Sequence, residues 1–575
     1  MAQSSLSMEE ELQITIGQAQ YLLIPHQEVN FLGFESSNAP TLVLVYITIP
    51  GQNVSKAGLR QFRTTTLDRD DVFQSEFYTN VVFYGSKEAD LQLEKGTLEE
   101  LAAWNTKEWI FLEGNPAAKV APGPLRQISL EDKCHNSDTL AGTNGRVIVP
   151  SRCYYRPSKQ PPLDGARISV KDNIDIAGHK TTLCNRAWQD LYPEAAKHAN
   201  CVQVLIDAGA IIVGKAKLQA MIMREEPLEV VEFTSPFNPR GNGYQVLSGS
   251  SHGSAAGIGS YEWLDFSIGS DSSLANGSGR KPAQYNGCFS IRPSTGIINT
   301  DGVIGQFAKF DMPVFFGRDL SRFSDFIFVW YGNSPILRTP SESVFSILVI
   351  IFQLRVRRSL VSLTYLFKAL NLLCKSRGKR YLLPNYGNET TPTEIIMPIL
   401  QNISNLREYS EKHGKPPFVH RAMHWQWDVS KKISMEERNM YWRRSEIYRH
   451  WLLDKVFKAD SKDSITIMIF PIEEGKPNYR DVEPAPFSIL SGYSSLNMSP
   501  MMRAPELTII IYSQVFAMVG EITYESIVTK REEPLPIAVS VIGAPGTDLI
   551  LANLVEKGMK AAGFATNLKT GRSIY

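Results

Sequence analysis

The chain has 575 residues, more than one ordinary core holds, so at roughly 100–200 residues per domain at least two domains are expected, one large enough to bury an active site. Lys and Arg number 60 against 59 Asp and Glu, a net charge of +1, which leaves no cationic excess to hold nucleic acid or an anionic membrane by counterion release. The partner these numbers leave is a small, nearly neutral molecule.

The opening stretch MAQSSLSMEEELQ is acidic with no apolar core, and the cysteines (Cys134, Cys153, Cys184, Cys201, Cys288, Cys374) are scattered without close pairs. Both features read as a reduced, cytoplasmic protein. Up to about Asn115, apolar runs such as TLVLVYITI and VVFYG are separated by turn residues and followed by TLEELAAW with helical spacing, which predicts a small α+β domain over 1–145. The Pro- and Gly-rich PAAKVAPGPL, Pro116–Leu125, is a connector, and the second domain is expected over 146–575.

From Ala166 the text alternates: ARISVKD predicts a short strand, NCVQVLIDAGA a helix stopped at Gly209, and IIVGK a buried strand. Strand, helix, strand implies an α/β sheet. LPIAVSVIG near the C-terminus repeats this logic. It is followed by a helix that Thr547 can cap, with apolar Leu551, Leu554 and Val555, ending near Gly563. Between about 331 and 460 the periodicity is poorer, and MEERNMYWRRSEIYRHWLLDKVF is the one convincing amphipathic helix. The apolar run Val344–Leu354 is too short to span a membrane and runs into RVRR.

Three segments carry chemistry. RISVKDNID places Lys171 at the end of a strand, where lost hydration lowers an amine's pKa and lets it take a proton; the plainer reading is a solvated lysine at a strand end. LSGSSHGSAAGIGS, Leu247–Ser260, is dense in Gly and Ser, as expected where backbone passes close to a ligand before a helix of small residues; the plainer reading is a flexible linker. In GSDSSLANGSGRKPA, Asp271 can bond to backbone donors of its own loop, Gly277 lets the chain approach a carbonyl oxygen, and Ser278 stands where an attacking hydroxyl would.

Taken together, VKDNIDIAG, DAGAIIVGKAKL, SGSSHGSAAG, IGSDSSLANGSGRKPAQYNG, IRPSTG and LPIAVSVIGAPGTDL resemble the amidase signature family, in that order along the chain. DDVFQSEFYTNVVFYG, Asp70–Gly85, also resembles the N-terminal part of fungal amidase-like proteins of the scytalone dehydratase-like type. The resemblance implies an α/β fold with a large mixed sheet covered by helices. It implies a Ser-cisSer-Lys triad that hydrolyses carboxamides with no metal and no cofactor, in fungal secondary metabolism. Carried over by residue, Lys171 is the base, Ser250 the bridging serine with Ser251 in support, and Ser278 the nucleophile. The backbone N–H groups of Ala275, Asn276, Gly277 and Ser278 form the oxyanion hole, and Asp271 and Arg280 support the loop. The expected partner is a small-molecule amide, with neither nucleic acid nor membrane; a homodimer is left open.

The loop between Asp271 and Arg280 is longer than the family's usual form, and Asn276 replaces a glycine. It either bulges at Ser272–Ala275 and restores the register or displaces the oxyanion donors, and a shift of ~1 Å costs about 100-fold in rate. The runs Val344–Lys375 and Ile509–Val519 read as translated intron or drift, expected to strain the fold. Two further functions therefore stand beside amide hydrolysis: a catalytically impaired amidase-like protein that binds a ligand or partner, and a lyase activity in the first domain, for which no acid and base pair is evident. His420 and His424 have the spacing of metal ligands but lack a third, so no metal is expected. Cys288 in YNGCFSI reads as core, and Trp425, Trp427 and Trp442 as packing residues that could line an aromatic acyl pocket.

Overall fold

The computed structural model describes residues 12–17, 19–23, 42–113, 125–129, 146–152, 163–223, 225–271, 277–305, 309–338, 346–349, 407–430, 433–457, 459, 464–473, 475–483, 495–510, 521–561 and 564–574. The chain divides into two units, Met1–Pro157 with Asp164–Ala166, and Ser158–Leu163 with Arg167–Tyr575. The expected domain boundary at 145/146 falls at the start of the strand Arg146–Pro150, which pairs antiparallel with Leu125–Ser129 of the first unit.

In the first unit the apolar runs become three parallel strands, Leu44–Ile47, Asn80–Tyr84 and Glu108–Leu112, with Asn80–Tyr84 in the middle and buried at Val81, Val82 and Phe83. Parallel strands need a crossover between them, and the helices Lys56–Thr65 and Thr97–Ala103 supply it. Ser55 Oγ caps the first by accepting from Gly58 N at 3.0 Å. Leu59 and Leu101 from these helices join Leu44, Val81, Phe83 and Trp104 in one apolar cluster.

Among the described residues, the second unit is built on a nine-stranded mixed sheet. Its order is Ile211–Ala216, Arg167–Lys171, Phe266–Asp271, Met312–Gly317, Phe289–Arg292, Glu506–Ile510, Ala538–Ile542, Ser464–Pro471, Ser346–Val349. The first three run parallel, and the next strands alternate antiparallel. Helices flank it, as expected for an α/β architecture. Phe323–Tyr331 contributes Phe323, Phe326 and Trp330, whose rings lie 4.7, 4.2 and 5.7 Å from that of Phe315 in the sheet. Each such buried aromatic contributes about 1.5–3 kcal/mol.

Three local expectations change. IIVGK is an edge strand, so only Ile211 is buried and the rest is half-exposed or open. Thr547 precedes the helix Asp548–Ala561, but its hydroxyl donates to Ala544 O at 2.7 Å, closing the preceding turn; Gly563 lies outside the described residues. Ile509 and Ile510, expected to begin a disruptive run, complete a fully buried central strand opposite Val539 and Ala538. In the other run, Ser346–Val349 pairs in parallel with Ser464–Ile467, and the remainder of both runs, with the Pro116–Pro124 part of the connector, lies outside the described residues. The amphipathic helix runs Met435–Trp451, capped by Ser434, and ends in a π-turn at Leu452–Val456. Among the described residues no helix is long and apolar enough to cross a membrane.

Candidate active site

Parallel register aligns the ends of neighbouring strands, and ligands in α/β sheets meet the strands' carboxyl ends. In the parallel pair Arg167–Lys171 and Phe266–Asp271, Val170 stands opposite Ile268, so Lys171 and Ser270 emerge close together where the two strands finish. Both strands are buried on both faces. Lys171 therefore ends in a dry place: it is fully buried, which overturns the solvated reading. Its Nζ lies 2.7 Å from Ser250 Oγ, 3.0 Å from Ser251 Oγ and 2.9 Å from Ser270 Oγ. No carboxylate among the described residues forms an ion pair with it. Burial lowers its pKa to about 7, against the opposing pull of Asp271, Cys184 and Asp311.

Nor is Leu247–Ser260 a linker. The Gly249–Ser250 peptide is cis, and His252–Ser260 is a helix, almost all of it buried, that packs on Arg167–Lys171 and Phe266–Asp271. The glycines permit that approach. A Cβ on Gly253 would stand 2.5 Å from Lys217 O and 2.7 Å from Lys217 N, both backbone atoms. Gly253→Ala should therefore cost about 1–3 kcal/mol in chemical denaturation, with a matching loss of melting temperature. His252 is buried, and its pKa is lowered to about 3 by burial and then by Lys171, Lys217 and Arg480, so its imidazole is neutral at neutral pH.

Ser278 is buried, and its carbonyl oxygen accepts from Ser251 N at 3.3 Å, which brings the third segment against the second. Gly277 before it has φ +56°, a left-handed backbone that glycine adopts freely. Ala275 and Asn276, expected to complete the oxyanion hole, lie outside the described residues, as do Ser272–Leu274, where the loop's backbone donors to Asp271 were expected. The Asp271 carboxylate faces Arg280 Nη2 at 2.9 Å and Arg292 Nε at 3.6 Å, while Arg280 Nη1 reaches Glu506 at 2.6 Å. All four side chains of this quartet are fully buried.

The structure thus brings Lys171, Ser250, Ser251, Asp271, Arg280 and the described part of the Ser278 loop together. It adds Ser270, Asn173, whose Oδ1 accepts from Ser270 Oγ at 3.3 Å, Arg292 and Glu506, which sequence reasoning missed. Ser270 had a weak signal, a hydroxyl beside Asp271 at a strand end; Glu506 had none. Other candidates fall away from this centre. His420 is buried and its Nε2 is bonded to Ala220 O at 3.0 Å, while His424 is exposed, and no described group of His, Cys, Asp and Glu could hold a metal. Cys288 is fully buried, with its thiol pushed up to about 12 by burial. Trp427 packs with Met221, Met223, Val419 and Met423, and Lys309 Nζ sits 4.0 Å from the ring centre of Trp442.

Residues 152–347 match the family model described as Amidase. "Amidase 1" of Oryza sativa subsp. japonica is 37% identical over 168 residues, covering 29% of this chain and 37% of that protein. One of the subunits of the glutamyl-tRNA(Gln) amidotransferase of Treponema denticola is 31% identical over 193 residues, 33% of this chain and 38% of that one. The chain therefore spans less than two fifths of the length of these relatives. In fold it is similar to a solved inhibitor-bound structure, described as a vestigial protein complex bearing on the origins of an s-triazine catabolic enzyme. The TM-score is 0.50 at 19% identity, over 71% of this chain and 86% of that one.

Proposed function

We propose that this chain is a serine amidase of the amidase signature family, hydrolysing a small carboxamide through Ser278, Ser250 and Lys171. The observation that carries the reading is a fully buried amine with no paired carboxylate among the described residues, 2.7 Å from a serine hydroxyl. A lysine kept for stability would be paired or would reach solvent; burial without a counter-charge makes sense where a neutral amine is needed. A hydroxyl is a poor nucleophile at neutral pH until a base takes its proton during attack. The Ser278 proton passes to Ser250 Oγ as the Ser250 proton passes to Lys171 Nζ. The Ser278 oxygen adds to the amide carbon, the oxyanion is held by backbone N–H groups of the 275–278 segment, and the proton returns by the same route to the departing amine. Water then repeats the sequence on the acyl-enzyme.

The reaction is placed in 146–575 and needs no metal or cofactor. The setting proposed is fungal secondary metabolism, from the resemblance of the whole architecture, in the cytoplasm, from the scattered cysteines and the acidic opening stretch. A ligand-binding protein without turnover is the second reading, favoured by the lengthened loop between Asp271 and Arg280.

A fluorophosphonate probe separates the two. An adduct on Ser278 that Ser278→Ala abolishes, with ammonia released from an amide panel, is the expected result; well-folded protein that takes no label sinks the hydrolytic reading. Because the neutral amine is the active form, kcat/KM should rise with pH through about 7 and level above it.

A further inference from the structure

Lys171 Nζ has more oxygen neighbours than a neutral amine can treat alike. Ser250 Oγ at 2.7 Å, Ser270 Oγ at 2.9 Å, Ser251 Oγ at 3.0 Å and Ser270 O at 3.3 Å all surround it. A neutral amine offers two N–H donors and one lone pair, and the relay works only if the lone pair meets the Ser250 proton. Which hydroxyl gives a proton to the amine is decided by where the other protons are spent. Ser251 Oγ donates to Ser270 O at 3.0 Å and accepts from Ser270 N at 3.2 Å. Ser270 Oγ donates to Asn173 Oδ1 at 3.3 Å. The Asn173 amide is itself fixed, because its Nδ2 donates to Ile304 O at 2.6 Å, which turns Oδ1 toward Ser270. All these side chains are buried, so water does not compete.

We propose that Asn173 and Ser270 are positioning residues of the relay: Asn173 takes the Ser270 proton, Ser270 and Ser251 then accept from the Lys171 amine, and its lone pair is left facing Ser250. The idea rests on the amidase reading above. After transfer, Lys171 is an ammonium with three N–H donors and the three hydroxyls all accept, so the same cradle fits both protonation states. The titratable groups facing the amine are Asp271 at its strand end, Cys184, Asp311 ahead of Met312–Gly317, and His252 at the start of its helix. None is altered in the variants below.

The test is the rate of fluorophosphonate labelling of Ser278 in the full-length protein. Asn173→Ala frees the Ser270 hydroxyl to turn its proton to the lone pair, so labelling should slow about 10- to 100-fold. Asn173→Ala/Ser270→Ala removes that competitor and should regain most of the rate. Ser270→Ala alone takes away an acceptor that favours the ammonium, so the acid limb of its pH profile should move to lower pH, and Ser270→Thr should restore it. A double variant slower than Asn173→Ala, or a Ser270→Ala limb that stays in place, overturns the proposal. If Asn173→Ala does not fold, the Ser270 pair decides alone. Wild-type protein that takes no label sinks the amidase reading and this inference with it; normal wild-type labelling with unresponsive variants sinks only this one.

Discussion

Lys171→Met is expected to lower amide hydrolysis by about 10⁴- to 10⁶-fold, the scale seen when one member of a catalytic unit is removed, and to change stability in a pH-dependent way. In the unfolded chain this lysine binds its proton up to about 10.5, whereas in the folded protein it releases it above about 7. Between those values the unfolded state holds more protons, so the wild-type protein gains stability as pH rises through the window. Below about 7 the amine is charged in both states and its burial is fully opposed, by about 5 kcal/mol for a shift of this size. Methionine has nearly the same shape and no charge. The variant should therefore gain most over wild type at pH 6 and least near pH 10.5, even though three serine hydroxyls lose their nitrogen partner. Parallel urea titrations of both proteins across that range measure the difference, and groups common to both cancel. A stability gap that does not change with pH would mean that Lys171 is not buried as described; hydrolysis surviving in the variant would mean that it is not the base.

How far the sequence led depended on whether a feature is local. The strand Arg167–Lys171, the helix Met435–Trp451 and the turn chemistry around Gly277 follow from spacing within a few residues, and each was legible. Lys171 stood out because an amine follows an apolar run, and Ser278 because it follows a glycine in a loop dense in small residues; Ser250 was singled out within its Gly- and Ser-rich segment only by the resemblance to the amidase signature family. What escaped were partners chosen by topology. Asn173 and Ser270 meet across 97 residues, and Arg280 and Glu506 across 226. Ile211–Ala216 reads like any apolar strand, yet lies at the edge because of the sheet order. Periodicity says that a residue is inside; it does not say what it faces.

Glu506→Ala should be among the most destabilising single changes in the second unit, about 3–5 kcal/mol, because it removes one partner from a buried charge network and leaves another uncompensated. Arg280 and Arg292 carry two positive charges, Asp271 and Glu506 two negative ones, and all four are fully buried. Loss of Glu506 leaves two guanidinium groups with one carboxylate. Arg292, whose pKa burial already lowers to about 10 with Arg280 pushing the same way, keeps only neutral partners, among them Phe310 O and Pro293 O, besides the Asp271 it shares with Arg280, and Arg280 keeps Leu496 O as a neutral partner of Nη1. The Ser540 hydroxyl, which donates to Glu506, is orphaned in the same step. Because Arg280 follows Ser278 by two positions at the start of the helix Arg280–Tyr285, the strain should reach the nucleophile: labelling of Ser278 should slow even at temperatures where the variant is fully folded. Arg280→Met/Glu506→Leu restores neutrality with apolar groups of comparable volume, so the double variant should lose less stability than the sum of the single ones, and the cycle yields a coupling of about 2 kcal/mol or more. Strict additivity in urea unfolding would show that the two side chains do not depend on each other, and with that the quartet would no longer explain how the loop of Ser278 is tied to the sheet.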